Sequence, residues 1–324
     1  MTKKYITELT MGPITEIFAV KYKGELMNYK NKPGTWFSIS LSDKTGQINA
    51  KFWGRDDNIT NSVIESFSQG DVVRVIGEVK SYNKELEIHI DPQSGSITKL
   101  DTNTIQFTDF IPSTKKDIEK MKSELIDIVS HITNPHLKEL LKKFTDDQTM
   151  LQKIATAPAA KQWHHNFVGG LLEHILTLIE ISKTVHASHP ELDLDLLILG
   201  CILHDIGKTE EFQIGATIEI STKGRLLGHI AIGFLMVAEK IREIQNFPED
   251  LKLRVFHVIL SHHGKLENGS PIIPMTTESV AFSMIDDTDA KSQHAIQIVE
   301  KTDKEWKHEK EPSGYWFYTG KSKK

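Results

Sequence analysis

The amino-acid sequence predicts a multidomain β-then-α protein: a small five-stranded β-barrel over residues 1–100, then an all-α helical bundle from residue 114. Three observations lead there. Before residue 100, apolar and polar residues alternate along short runs broken by Gly and Asn, the period-two signature of half-buried strands. After 114 the apolar spacing becomes three and four, that of amphipathic helices. Histidine is gathered in the second part, with 11 of the 15 between 164 and 294. A chain of 324 residues is also long enough that two domains are the natural division.

The strands follow in order. One is expected around 12–22. "TWFSISLSD" (35–43) sets Phe37, Ile39 and Leu41 on one face and Trp36, Ser38 and Ser40 on the other. Across the turn "DKTG", "QINAKFWG" sets Ile48, Ala50 and Phe52 against Asn49, Lys51 and Trp53. Residues 59–69 read as a short helix. "DVVRVIGEVKSY" and "ELEIHID" supply two more strands joined at an Asn-Lys turn near 83–84. Five strands with a helix between the third and fourth is the order of the OB-fold, whose exposed face binds single-stranded nucleic acid or oligosaccharide. Single-strand binders join a basic groove to aromatic platforms, each stacked base being worth ~1–3 kcal/mol. Trp36, Trp53 and Tyr82 are the candidate platforms, and Lys21, Lys23, Lys30, Lys32 and Lys51 the candidate phosphate contacts. The competing reading is that Trp36 or Trp53 packs on the helical part or on a neighbouring subunit.

Residues 101–113, "DTNTIQFTDFIPS", form the linker, with Pro112 just ahead of the helices. "KKDIEKMKSELIDIVSHI" opens the bundle with Ile118, Met121, Leu125, Ile128 and Ile132 at helical spacing, and Ser113 or Thr114 is the expected N-cap. Helical patterns continue to about 300 with one strand-like excursion, "TIEIS" (217–221), so the second domain is expected over 114–310. The tail, 311–324, is aromatic and then basic; it is expected to pack on the helical domain or to stack on a base.

Composition limits the function classes. Hydrophobic content of 39% and charged content of 26% are those of an ordinary soluble globular protein. The net charge of −5 argues against a broadly cationic binder, but residues 1–100 hold 13 Lys/Arg against 12 Asp/Glu while the remainder holds 26 against 32. An acidic region can still act on an anionic substrate if bound cations reverse the local sign. No run approaches the ~18–20 apolar residues of a membrane span, and the polar start "MTKKYITE" is unlike a signal peptide. A cytoplasmic protein that does not engage membranes is expected, and homo-oligomerisation is left open. The single Cys201 excludes an internal disulfide and, within an apolar run, reads as a small core residue.

Five segments carry the chemistry. "GGLLEHILTLIEISK" holds His174, "CILHDIGK" holds His204, Asp205 and Lys208, and "RLLGHIAIGF" holds His229. "VILSHHG" ends on His262 and His263, and "FSMIDDTDA" embeds Asp286, Asp287 and Asp289. Each interrupts a pattern that otherwise belongs in the core, and a lone buried imidazole or carboxylate costs several kcal/mol unless paired or metal-bound. A hydrogen bond explains one such histidine. Shared metal coordination accounts for all five segments together. Histidine and carboxylate without cysteine point to a divalent metal, Mn²⁺ first, with Fe, Co²⁺, Mg²⁺ and Ni²⁺ as alternatives to it, rather than to structural zinc. Five or six ligands allow two ions, and two-metal sites serve phosphoester hydrolysis.

The pattern His174…His204-Asp205…Asp286 resembles the HD superfamily of metal-dependent phosphohydrolases, which is all-helical. His229 and His262, with His263 beside it, resemble the subset that binds two metals. That resemblance implies that Asp205 bridges the ions, that His174, His204 and Asp286 hold one, and that His229 with His262 or His263 holds the other. Lys208 would face the substrate phosphate. A barrel followed by such a domain, with "WHHNFVGGLLEH", "GRLLGH" and "SHHGKLENGSP", is similar to the YhaM-type 3′→5′ exoribonucleases over nearly the whole chain. It makes His164 and His165 candidate substrate-side groups, with local hydrogen bonding at a helix start as their alternative. Arg225 and Lys265 become possible phosphate contacts. Spacing does not choose between His262 and His263 or between Asp286 and Asp287; His262 and Asp286 follow their apolar runs most directly. The expected activity is 3′→5′ hydrolysis of single-stranded RNA, with DNA also possible. The competing readings are a phosphohydrolase of small nucleotides and a non-catalytic nucleic-acid-binding protein.

Overall fold

Alternation in the first hundred residues becomes a closed sheet. The computed structural model describes residues 3–83, 85–101, 109–160, 166–310 and 313–321. The strands are β1 (Gly12–Lys23), β2 (Met27–Asn28), β3 (Thr35–Asp43), β4 (Gly46–Phe52), β5 (Val72–Tyr82), β6 (Glu85–Ile90) and β7 (Ser96–Lys99), with helix α1 (Asp57–Glu65) between β4 and β5. Antiparallel β1–β3–β4 continues through the parallel pair β4–β6 and antiparallel β6–β5, and β5 returns to β1 to close the barrel. Phe37, Ile39, Leu41, Ile48, Ala50 and Phe52 point into the core as their alternation requires, joined by Phe18, Phe67, Ile88 and Ile90. Strands β2 and β7 are additions at the edges of β3 and β5, too short to leave an alternation in the sequence.

Helix α1 begins two residues earlier than expected. The Asp56 carboxylate accepts from the Asn58 and Ile59 N–H groups and fixes the start. At the other end, the Lys23 ammonium donates to the carbonyls of Ile64 and Phe67, each at 2.8 Å. Lys23, counted among the phosphate contacts, is therefore committed to the end of a helix.

The helical region contains α2 (Ile118–Ser130), α3 (Pro135–Thr145), α4 (Gln148–Thr156), α5 (Gly170–Ser188), α6 (Leu194–Leu203), α7 (Lys208–Glu211), α8 (Thr222–Arg242), α9 (Glu249–Ser261) and α10 (Thr277–Glu300). The excursion near 217 is half of a hairpin, β8 (Phe212–Ile214) with β9 (Ile218–Ile220), and the chain ends in a second hairpin, β10 (Trp306–His308) with β11 (Trp316–Tyr318). Within the tail expected over 311–324, Trp316–Tyr318 thus pair with Trp306–His308 before it. Helix α2 is capped by Asp117, whose carboxylate accepts from Lys120 N–H. The expected cap Thr114 instead donates its hydroxyl to Glu173 Oε2 at 2.5 Å. Helix α6 is buried from Leu196 to Leu203, as an element apolar on every side must be. Within it Cys201 is fully buried 3.3 Å from Ser182 Oγ, and burial pushes its thiol up to about 12.

The chain divides into two units, Met1–Ser113 with Gln213–Glu219, and Thr114–Phe212 with Ile220–Lys324. Within the first, Ala216 from the β8–β9 turn is buried with Ala19, Val72 and Phe110. Among the described residues no helix is long and apolar enough to cross a membrane.

Candidate metal centre and aromatic ledge

The apolar run of α6 ends because its C-terminus is the wall of a polar pocket. His204 caps the helix, Asp205 to Gly207 turn, and Lys208 starts α7. The turn needs glycine at 207: a Cβ there would lie 2.0 Å from the His229 carbonyl oxygen of α8. Helix α8 is itself broken at Gly228 (φ 72°, ψ 156°), a left-handed-side conformation that glycine adopts without cost. The break re-aims His229. His174 comes from the start of the second turn of α5, His262 caps α9, and Asp286 lies in the middle of α10.

These residues fall into two adjoining groups. His174, His204 and Asp286 offer donor atoms within 4.8 Å of one another, as do His229, His262 and His263. Asp205 lies between them: Oδ2 is 3.1 Å from His204 Nε2, while Oδ1 is 3.4 Å from His229 Nε2 and 3.7 Å from His262 Nε2. Lys208 Nζ binds the same Oδ2 at 2.5 Å.

The outer nitrogens explain why the inner ones converge. Nδ1 of His204 donates to the Gly200 and Cys201 carbonyls at 3.0 and 3.2 Å, and Nδ1 of His262 to the Ile259 carbonyl at 2.7 Å. Nδ1 of His174 donates to Asp289 Oδ2 at 2.6 Å, and Nδ1 of His229 lies 3.4 Å from Glu211 Oε2. A carbonyl can only accept, so Nδ1 of His204 and of His262 carries the proton and each Nε2 presents a lone pair to the centre, whereas His174, with Asp286 Oδ1 3.1 Å from its Nε2, sits between two carboxylates. Among the described residues, Nε2 of His204, His229 and His262 and Oδ1 of Asp205 are buried without a hydrogen-bond partner. Orphaned buried acceptors aimed at one point cost free energy that a cation recovers, so the donor set fits divalent metal.

Electrostatics separate the two groups. Burial disfavours a charged His174, but the Asp286 and Asp289 carboxylates outweigh it and raise the ring to about 9. Burial also opposes ionisation of Asp205, yet Lys208 and then His204 hold its carboxyl well below the usual range. Asp286 is likewise held low, against burial, by the hydrogen bond from His174. In the other group, burial and the neighbouring His204 ring push His262 far below an ordinary histidine, and burial lowers His263 as well.

On the barrel, Trp53 stacks between Trp36 (ring centroids 5.5 Å) and Tyr29 (6.2 Å) to form an aromatic ledge. Trp53 Nε1 donates to His89 Nδ1 at 3.1 Å, His89 Nε2 donates to Glu87 at 2.8 Å, and Glu87 pairs with Lys51 at 2.8 Å. Lys32 lies 4.1 Å over the Tyr29 ring, and Lys51 lies 4.9 Å over that of the exposed Tyr82.

Comparison with known proteins agrees with both parts. A model described as an OB-fold nucleic acid binding domain matches residues 20–92, and an HD domain model matches residues 171–291. The 3′-5′ exoribonuclease YhaM of Oceanobacillus iheyensis is 30% identical over 266 residues, 82% of this chain and 81% of that protein. The chain belongs to the YhaM 3′-5′ exoribonuclease family. Among solved structures, DNA-binding domain A of replication protein A from S. cerevisiae is similar to 31% of this chain and 94% of its own, at 18% identity and TM-score 0.25. A replication factor A related protein from Methanobacterium thermoautotrophicum is similar to 31% of this chain and 92% of its own, at 22% identity and TM-score 0.24.

In this YhaM-family chain all seven expected ligands meet in one pocket. Asp287 does not join them: it is exposed and pairs with Lys291 at 2.7 Å. His262 is buried and His263 half-exposed beside it. Arg225 is exposed on the first turn of α8, and Lys265 is exposed and paired with Glu267 at 3.1 Å. His164 and His165 lie outside the described residues. Sequence reasoning missed Asp289 and Glu211, which contact the His174 and His229 rings, and Tyr29 and His89, which build the ledge. Only Asp289 left a signal, three residues after Asp286 and hence on the same helix face.

Proposed function

We propose that this chain is a metal-dependent 3′→5′ exonuclease that hydrolyses single-stranded RNA one nucleotide at a time, holding the strand on the barrel and cutting it in the HD pocket. The observation that carries the reading is Asp205, whose two oxygens face two separate groups of histidines. His174, His204 and Asp286 would hold one divalent ion, His229 and His262 with His263 beside them the other, and Asp205 would bridge. Nitrogen and oxygen donors without thiolate favour Mn²⁺. Bound there, the ions supply Lewis-acid stabilisation of charge on the phosphoryl oxygens.

The chain's own groups have defined tasks. The Nδ1 hydrogen bonds of His174, His204 and His262 fix how each ring faces the centre, so no reorientation is needed when substrate arrives. Lys208, anchored by Asp205, keeps a cation with further N–H donors in the pocket, and it would meet a phosphoryl oxygen. The Tyr29–Trp53–Trp36 ledge offers π-faces to bases, with Lys32 and Lys51 beside it for the backbone. Ledge stacking tolerates any base, which suits an enzyme that degrades a strand regardless of sequence.

The test combines metal analysis of the purified protein with 5′-labelled RNA and DNA oligomers in Mn²⁺. Ladders that shorten from the 3′ end, faster for RNA, are expected. Hydrolysis of mononucleotides with intact oligomers would select the small-nucleotide phosphohydrolase instead, and a metal-free protein that binds oligomers without cutting them would make it a binding module.

A further inference from the structure

The terminal hairpin is built rigidly for something the metal centre does not use. Its register pairs Trp306 with Tyr318 and His308 with Trp316. Alternation places these four rings on one face, where they contact in pairs at centroid distances of 5.0 and 4.5 Å. The opposite face carries Lys307 and the half-buried Phe317. A strand face of four aromatics would normally be the buried one, yet Trp306, Trp316 and Tyr318 are 52%, 63% and 61% exposed.

Local geometry is fixed by the helix the hairpin follows. The Lys321 ammonium donates to the carbonyls of Val299 (2.9 Å) and Glu300 (3.3 Å), orphan acceptors at the end of α10, and to that of Thr302 (2.7 Å) just beyond it. Glu309 accepts from Ser313 Oγ at 2.6 Å and pairs with His294 of α10 at 2.7 Å. Backbone bonds from Thr319 N–H to Glu305 and from Glu309 N–H to Tyr315 close the ladder at both ends. An aromatic face held this firmly toward solvent is a preorganised platform.

We propose that the Trp306–His308–Trp316–Tyr318 face is a second stacking platform for single-stranded nucleic acid, separate from the barrel ledge. The proposal extends the nuclease reading and rests on it. Charge selects this occupant over a second copy of the chain. Residues 301–324 carry seven Lys against four Asp/Glu, a net positive segment on a chain of net charge −5. Aromatic faces with neighbouring cations are the recurring chemistry of single-strand binding. Fourteen residues of α10 separate Asp286 from Glu300, a rise of ~21 Å. A strand reaching from the metal pocket to the hairpin therefore needs on the order of six nucleotides at ~3.4 Å each.

The experiment compares binding of a 4-mer and a 20-mer RNA, both under chelation, to the full chain and to the Trp306→Ala/Trp316→Ala variant. The wild-type preference for the 20-mer, read as a ratio of Kd values, should fall about tenfold or more in the variant, and Trp306→Phe/Trp316→Phe should restore most of it. An unchanged ratio overturns the proposal, as does a variant that sediments as a smaller species than wild type, which would assign the face to a second copy. Should the alanine variant fail to fold, photo-crosslinking of the wild-type chain to a 5-bromouridine-substituted 20-mer decides: crosslinks within 306–318 support the platform and their absence overturns it. A chain that neither binds nor cuts RNA of any length would fail the nuclease reading itself, an outcome distinct from these.

Discussion

The two halves of the metal centre use the same imidazole chemistry in opposite electrostatic settings. His174 lies between Asp286 at 3.1 Å and Asp289 at 2.6 Å and keeps its proton to about 9 despite burial. His262, equally buried, has His204 and His263 rings at 5.0 and 4.3 Å and gives up its proton far below the usual range. One half attracts a cation of any kind, proton or metal. The other is made of imidazoles, of which burial holds His262 and His263 below the ordinary histidine value. On the proposed two-ion reading, the difference implies that the carboxylate-rich half fills first, at a cost in protons, and the imidazole-rich half second. Asp205 is the one group common to both.

The largest effect should therefore come from Asp205. Replacing it by Asn removes the shared charge, and hydrolysis of a labelled RNA should fall by ~10³-fold or more, the scale of losing one preorganised charge-stabilising group. Bound metal, counted by elemental analysis, should fall in both halves. Loss confined to one half, or activity within tenfold of wild type, would break the idea that this residue joins them.

The next effect concerns pH in the chelator-treated protein. His174 has a raised folded value, about 9 against an ordinary 6.5, so its stabilisation is complete below 6.5 and is lost as pH climbs through 9. At ~1.4 kcal/mol per unit that is on the order of 3 kcal/mol. His262 is depressed, so its contribution is complete above 6.5 and is lost as pH falls below it. Between 6.5 and 9 the first contribution declines steadily, so urea midpoints should peak near 6.5. His174→Gln should flatten the alkaline limb, and His262→Gln the part of the acid limb just below 6.5. Metal binding near pH 7.5 should release a proton from the His174 half, seen as a buffer-dependent binding enthalpy. Equal effects of both substitutions on both limbs would remove the asymmetry.

Asp289 sharpens the comparison at the level of a single hydrogen bond. Asp289→Asn keeps the shape but replaces a charged acceptor with a neutral amide, and affinity for the first ion should fall 10–100-fold. The same change should lower the proton release near pH 7.5, because one of the two carboxylates that raise His174 is gone, Asp286 remaining.

How much of this was legible beforehand depended on whether the signal was local. Alternation named Phe37, Ile39 and Leu41 as barrel core, because a strand's inward face is a property of its own sequence. Histidines in apolar runs exposed the ligands, because a buried imidazole contradicts its surroundings wherever it occurs. Residues defined by a partner far along the chain were not readable. Asp289 meets His174 across 115 positions, and His89 meets Trp53 across 36. Lys23 looked like any exposed lysine until the end of α1 arrived above it. The α2 cap was missed for the opposite reason: Ser113, Thr114 and Asp117 are all good N-caps, and only the backbone shows which one starts the helix.

Glu211 should give the smallest effect and so tests the comparison most finely. It is the counterpart of Asp289 in the second half, but its carboxylate lies 3.4 Å from His229 Nδ1 where Asp289 lies 2.6 Å from His174 Nδ1. It also serves the backbone: Oε1 accepts from the His229 N–H at 3.2 Å, just after the break at Gly228. Its role is thus shared between aiming the ring and holding the restart of α8. Glu211→Gln retains an acceptor for the N–H and loses only the charge, so affinity for the second ion should fall by less than about tenfold, below the range for a tightly bonded ligand-orienting carboxylate. Measured as a metal titration of RNA cleavage, the wild-type curve should separate into a tight and a weak phase, with Glu211→Gln shifting the weak phase and Asp289→Asn the tight one. If the two variants move the same phase, the ions do not bind in distinguishable halves.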